Sequence, residues 1–309
     1  MSNSIFVIAE HLKGKIEDVT YEMLGKAREL GGEVVAVLLG SGAKGLAGNF
    51  NADKVLYVDS PALADFNPEA YGKVIAGLVN SHAPKMVLVG YTSQGVDLAA
   101  GLSVDCDLPL LAYANAISAG SVTSQLYGGK MNVESKLEGE RFIAAVIPGA
   151  FPAEPGKGSG APVEDVAAPD LSGLKVQFKR LIEPAGGDVD ITQSSVLVSV
   201  GRGIQSADNL PIVQALADKL GGALSSSRPI VDAKWLPKTR QVGKSGLKVK
   251  PKVYIAVGIS GAPEHIEGMK GADCIIAINT DPKAPIFSYA HYGVTADLFD
   301  VVPALVEKL

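Results

Sequence analysis

Short runs built mostly from Val, Ile, Leu and Ala recur along this chain, each followed by a stretch of helical period, and no other feature limits the fold as much. In the first half "SIFVIAE", "EVVAVLLG", "KVLYVDS" and "KMVLVGYTS" read as strands, with helical patterns over 19–30 and 68–80 between them. Strands that are apolar on both faces need cover on both. They therefore predict a parallel sheet wound with helices on each side. After Pro109 the pattern loosens into "SVTSQLYGGKMNVESKL" and "RFIAAVIPGAF", and a turn at 127–130 predicts a hairpin. Residues 148–190 are rich in Pro and Gly, a composition suited to a surface connection.

A second α/β pattern follows, in which "SSVLVSVGRG" is a strand with a glycine turn and 209–220 a helix ended by Gly221-Gly222. Then come "ALSSSRPIVD", "KVYIAVGISGAPEHIEGM", "CIIAINTDP", "APIFSYAHYG" and a last helix near 298–309. The expected architecture is α/β, with two Rossmann-like doubly wound domains over 1–185 and 190–309. A length of 309 residues agrees with two cores.

The charge balance narrows the function classes. A net charge of −5 and the lack of a dense basic run argue against nucleic-acid binding. Cys106 and Cys274 have no second Cys or His at ligand spacing, which argues against disulfides and zinc and for a reducing compartment. The opening "MSNSIFVIAEH" becomes strand-like at once, leaving no room for a signal or transit peptide, and no apolar run approaches the ~18 residues of a membrane span. A prokaryotic cytoplasm is expected.

Two glycine-bearing stretches invite a phosphate reading. "RQVGKSG" (240–246) ends like a phosphate-gripping loop, but that loop needs a glycine at 238, where Lys stands. "AVGISGAPEH" is better placed, since Gly258, Ser260 and Gly261 follow a strand and lead into a helix. Taken alone it is equally a tight turn. Around it gather Arg228, Arg240, Gln241, Lys244, Ser245, Ser260, His265, Asn279 and Asp297, whereas His11 and His82 stand isolated in stretches that read as solvated. No Ser-His-Asp or paired-carboxylate pattern stands out, so a dinucleotide site in the C-terminal domain is expected rather than a hydrolase.

The stretch "LGGALSSSRPIVDAKWLPKTRQVGKSGLKVKPKVYIAVGISGAPEHIEGMKGADCIIAINTDPKAPIFSYAHYGVTADLF" resembles the FAD-binding half of the alpha subunit of electron-transfer flavoproteins. "LVGYTSQGVDLA" and "YGGK" extend a looser resemblance into the first half. It implies FAD as cofactor, a beta subunit as partner docked by the N-terminal domain, acyl-CoA or related dehydrogenases as donors and a quinone-linked oxidoreductase as acceptor. It also implies roles for residues. Arg228 would lie over the isoalloxazine, Ser245 would bond flavin N5, and His265 would approach the C2 carbonyl. Gly258, Ile259, Ser260 and Gly261 would serve the pyrophosphate, with Asn279, Asp297 and Leu298 at the adenosine end, and Gln241, Val242, Gly243 and Lys244 would complete the flavin loop.

Reducing a flavin places negative charge near N1 and the C2 oxygen, so a donor or cation held there favours the reduced forms. A charge at about 4 Å and an effective dielectric near 20 is worth on the order of 4 kcal/mol, enough for His265 and Arg228 to move a potential by about a hundred millivolts. Three departures from the usual family pattern bear on this: Lys244-Ser245, where Gln-Thr or Gln-Ser is common; Pro263-Glu264, in place of Ile-Gln; and His291, in place of an acid. Other readings remain beside the carrier. One is a bifurcating flavoprotein in which NADH reduces a second FAD in the partner. Another, disfavoured because no acidic residue sits convincingly about twenty positions past a glycine fingerprint, is a nicotinamide-dependent dehydrogenase.

Overall fold

The computed structural model describes residues 3–127, 131–137, 141–181 and 189–309, and the chain divides into two compact units, Met1–Arg180 and Leu181–Leu309. The boundary expected near 185 lies outside the described residues. Among the described residues no helix is long and apolar enough to cross a membrane.

The first unit is built on a nine-stranded sheet whose central strands are β1 (Ser4–Ile8), β4 (Glu33–Gly40), β5 (Lys54–Asp59), β6 (Met86–Gly90) and β10 (Phe142–Val146), while β2 (His11–Leu12) and β3 (Lys15–Ile16) pair with each other apart from it. These pair in parallel, and β1, β6 and β10 are buried along their whole length, as their unbroken apolar composition requires. Helix α1 (Asp18–Leu30) covers one face through Val19, Met23, Leu24 and Ala27. Helices α2 (Pro68–His82) and α3 (Ser93–Asp105) cover the other. Each of these two starts where the sequence supplies a cap: Asn67 accepts from the N–H groups of Glu69 and Ala70, and Thr92 from that of Gly95.

Two features depart from a purely doubly wound sheet. The strands β7 (Leu110–Ile117), β8 (Ser121–Leu126) and β9 (Met131–Lys136) extend one edge, and the last two run antiparallel to their neighbours. The hairpin expected around 127–130 is thus framed by paired strands, although residues 128–130 lie outside the described ones. At the other edge β11 (Val163–Val166) joins β5 in parallel. That strand comes from the Pro- and Gly-rich segment whose composition suggested a connection. Its prolines stand outside the strand, where no ladder N–H is lost. His11 and His82 are also half-buried: the His11 Nε2 lies 2.7 Å from the Leu39 carbonyl oxygen, and the His82 ring packs 5.6 Å from that of Phe6.

The second unit is a five-stranded, all-parallel sheet ordered β13 (Ala223–Ser226), β12 (Val196–Val200), β14 (Val253–Val257), β15 (Cys274–Asn279), β16 (Tyr292–Thr295). One face packs on α6 (Pro263–Met269) and the other on α4 (Leu210–Lys219), the short α5 (Arg228–Asp232) and α7 (Leu298–Lys308). Both units reverse their winding beside the first strand. In the first unit that place is occupied by Glu10, whose carboxylate accepts from the Thr92 hydroxyl at 2.7 Å and is pushed up in pKa by burial. In the second unit it is open.

In the first unit Gly95 lies so near the Gly90 carbonyl that a Cβ there would strike the oxygen. Gly95→Ala is expected to lower stability by about 2–3 kcal/mol, read as a reduced urea midpoint of the full chain.

Candidate functional site

The carboxyl ends of β12 and β14 diverge where the winding reverses, and there the second unit opens a cavity of about 640 Å³. That volume lies within the roughly 300–1,000 Å³ of small-molecule sites. Its walls come from loops that follow the strands: Arg202 and Gly203 after β12, Ser227 and Arg228 after β13, Gly258, Ile259 and Ser260 after β14, and Asn279 at the end of β15. Residues 241–245 and α6 close the remaining side with Gln241, Val242, Gly243, Lys244, Ser245, Glu264 and His265.

Glycine makes the opening possible. The Gly203 N–H donates to the Gly258 carbonyl at 3.1 Å, bringing the two turns together backbone to backbone. A Cβ on Gly203 would stand 2.8 Å from the Gly258 Cα, and Gly258 has φ +63°, where side chains are strained. Among the described residues the amides of Ile259 and Ser260 donate to no acceptor, so the turn presents unspent N–H groups at the cavity wall. That is the chemistry an anionic group such as a pyrophosphate needs.

The "RQVGKSG" stretch has a different construction from a phosphate loop. Val242 N–H bonds the Ser226 carbonyl at 2.9 Å, and Leu247 N–H bonds that of Gln241 at 2.8 Å, which folds the loop back against β13. Gly243, at φ +141°, rests on Gly268 of α6 with no room for a side chain. The Gln241 Nε2 donates to Ser245 Oγ at 3.0 Å. With its oxygen engaged, the Ser245 hydroxyl has its proton to give to a ligand.

Charge sits at the rim. The Arg228 Nε is 3.3 Å from Asp232 Oδ2 one helical turn away, and both side chains are largely exposed, so the pair adds little stability while holding the guanidinium at the mouth. Lys244 and Glu264 both line the wall and are exposed, and the Lys244 N–H bonds the Glu264 carbonyl at 2.7 Å. His291 stands apart from the cavity lining, and its Nδ1 accepts from the Ile275 N–H at 2.9 Å. Arg202 was missed in the sequence, although "VGRG" places it just past the carboxyl end of a strand.

His265 is the buried polar group of the site. It is 5 % exposed, its Nε2 lies 2.9 Å from the Tyr254 hydroxyl, and its Nδ1 makes no hydrogen bond. Burial pushes its pKa down to about 4, only partly offset by the Val242 backbone, so the ring is neutral near pH 7. The charge that the sequence allowed at this position is therefore a neutral ring's dipole.

Not every expected residue reaches the cavity. Gly261, at φ +89°, packs against the backbone of Ile286, the Asp297 carboxylate caps α7 by accepting from Phe299 N–H at 3.0 Å, and Leu298 is buried in the core. Asn279 lines the wall, but its amide is committed on both sides, donating to the Ile259 carbonyl and accepting from Asp281 N–H, each at 2.9 Å. It shapes the loop.

Comparison with known proteins agrees with this geometry. Residues 5–171 match the electron transfer flavoprotein domain, and residues 190–270 match the electron transfer flavoprotein FAD-binding domain. The fold is thus that of an electron-transfer flavoprotein whose second domain belongs to the FAD-binding type. Proteins called electron transfer flavoprotein subunit alpha are 37% identical over 98% of both chains in Syntrophomonas wolfei subsp. wolfei and 38% identical over 99% of this chain and 96% of the other in Megasphaera elsdenii. One called Protein FixB, from Clostridium saccharobutylicum, is 34% identical over 98% of this chain and 95% of the other. The chain belongs to the alpha-subunit family of electron-transfer flavoproteins, and FAD is its cofactor.

The residues present fit that group: the glycine turn leaves backbone donors unspent, and the Ser245 hydroxyl keeps a proton to give. The lowered pKa of His265 also has a thermodynamic consequence. Between about pH 6.5 and 4 the unfolded chain holds a proton on this residue that the folded chain does not, so stability present above pH 6.5 is lost as pH falls. Over that interval wild type is expected to lose on the order of 3 kcal/mol more than His265→Asn, measured by urea unfolding at stepped pH.

Proposed function

We propose that this chain is the alpha subunit of a heterodimeric electron carrier, holds one FAD in the cavity of its second unit, and acts on no organic substrate of its own. It takes electrons from acyl-CoA or related dehydrogenases and passes them to a quinone-linked oxidoreductase. The observation that carries the reading is the buried, neutral His265 with an unpartnered nitrogen beside a glycine turn with free amides. The names of the relatives, each an alpha subunit, support pairing with a beta subunit.

Bound FAD supplies reversible one- and two-electron redox chemistry. The chain's own residues orient the cofactor and bias its potential. Ser245, its oxygen held by Gln241, would have its hydroxyl proton to give to flavin N5, and His265 would serve the C2 carbonyl. Arg228 supplies a cation at the mouth, and Ile259 and Ser260 would hold the pyrophosphate by backbone N–H groups. Because His265 is neutral, it acts as a hydrogen-bond donor rather than as a full charge. A hydrogen bond to a charged group is worth about 1.5–3 kcal/mol, which for one electron corresponds to about 60–130 mV.

His265→Ala is therefore expected to lower the first-electron potential by about that amount while FAD stays bound, in an anaerobic redox titration of the heterodimer followed by visible spectroscopy. An unchanged potential would remove His265 from the role. The same samples separate the carrier from its rival. One FAD per heterodimer and no bleaching by NADH establish the carrier, two FADs bleached rapidly by NADH establish a bifurcating flavoprotein, and a colourless complex overturns both.

A further inference from the structure

Four buried side-chain polar atoms among the described residues lack a hydrogen-bond partner, and three of them belong to one cluster: Ser199 Oγ, Ser225 Oγ and His265 Nδ1. Tyr254 shares their face of the sheet, and its hydroxyl lies 2.9 Å from His265 Nε2. Buried hydroxyls left unpaired are costly, so three in one place call for a common explanation.

The sheet register builds the cluster. Ser199 of β12 stands opposite Ser225 of β13, and Leu197 of β12 opposite Tyr254 of β14, so strand alternation puts all of these side chains on one face. His265 of α6 packs onto that face above them. Tyr254, Ser199 and Ser225 are fully buried, and no charged side chain is among them. Burial drives the Tyr254 phenol well above its ordinary value, so it always carries one proton to give.

That proton has two possible arrangements. Among the described residues the Tyr254 hydroxyl has one hydrogen-bond partner, His265 Nε2. If Tyr254 gives its proton there the phenol is satisfied, and the neutral ring must carry its own proton on Nδ1. In the opposite arrangement Tyr254 accepts from Nε2–H, its own buried proton has no acceptor, and Nδ1 is a bare buried acceptor. The second unsatisfied group disfavours that arrangement, and the pull of the Val242 backbone, which favours a protonated ring, adds to the preference.

We propose that Tyr254 is a positioning residue that fixes His265, on the cavity wall, as the Nδ1–H tautomer. The inference deepens the proposed role of His265 and rests on that reading for the ligand atom it meets. The tautomer itself is read without any signal from a ligand.

The test uses the full chain with its beta subunit, labelled with nitrogen-15 in histidine. The protein has four histidines, and His265→Asn identifies the resonance to follow. Long-range proton–nitrogen correlation at pH 7 is expected to show the Nδ1–H pattern in wild type, and Tyr254→Phe is expected to lose it for the Nε2–H form or a mixture. Wild type in the Nε2–H form, or an unchanged pattern in Tyr254→Phe, overturns the proposal. If Tyr254→Phe fails to fold, the variant with Ser199→Ala and Ser225→Ala added removes the orphaned hydroxyls and is read in the same way, since an all-apolar replacement of such a group is tolerated better than half of one. Flavin absorbance of the same samples reports separately on cofactor binding, so a colourless protein with the Nδ1–H pattern refutes the carrier and leaves the tautomer assignment standing.

Discussion

Gly203 and Gly258 meet backbone to backbone at the carboxyl ends of β12 and β14, and the cavity of the second unit depends on that contact. A side chain on either residue would force the two turns apart. The cleft could not keep its shape, because the amides of Ile259 and Ser260 are aimed by the same turn. The first unit shows how different the outcome is when the corresponding place is filled. There Glu10 occupies the reversal point and bonds Thr92, so one topology is filled in one unit and open in the other.

Polar residues around the cavity divide into those that build it and those that face it. Gln241, Asn279 and Asp297 spend their side chains on Ser245, on the loop backbone and on a helix cap. What they leave is a short set of groups with capacity to spare: the Ser245 proton, the His265 ring, two backbone amides and the rim guanidinium groups. Burial decides the character of the second of these. A histidine at the surface would have alternated between charge states near neutral pH, whereas His265 is held neutral and contributes direction rather than charge.

Much of this was legible in the sequence, because buried parallel strands write themselves as continuous apolar runs and glycine turns punctuate their ends. Arg228, Gln241, Ser245, Ser260 and His265 could be placed near one another because each falls next to such a run. What could not be read was commitment. Nothing in "AINTDP" says that Asn279 is tied to Ile259, and nothing in "TADLF" separates a cap at Asp297 from a ligand. Tyr254 was equally hidden, since a tyrosine inside an apolar strand reads as core until the register sets two serines beneath it. Strand β11 was obscured by its proline-rich flanks, and local composition cannot reveal a partner as distant as β5.

That distant pairing also sets an order of events during synthesis. Val55 waits for Val163, and Asn51 for the carbonyl of Gly156, so the edge of the first sheet stays open until more than half the polypeptide has left the ribosome. The second sheet draws all its strands from a later, uninterrupted stretch. The first unit can thus close its last edge before the strands that border the cavity have been made.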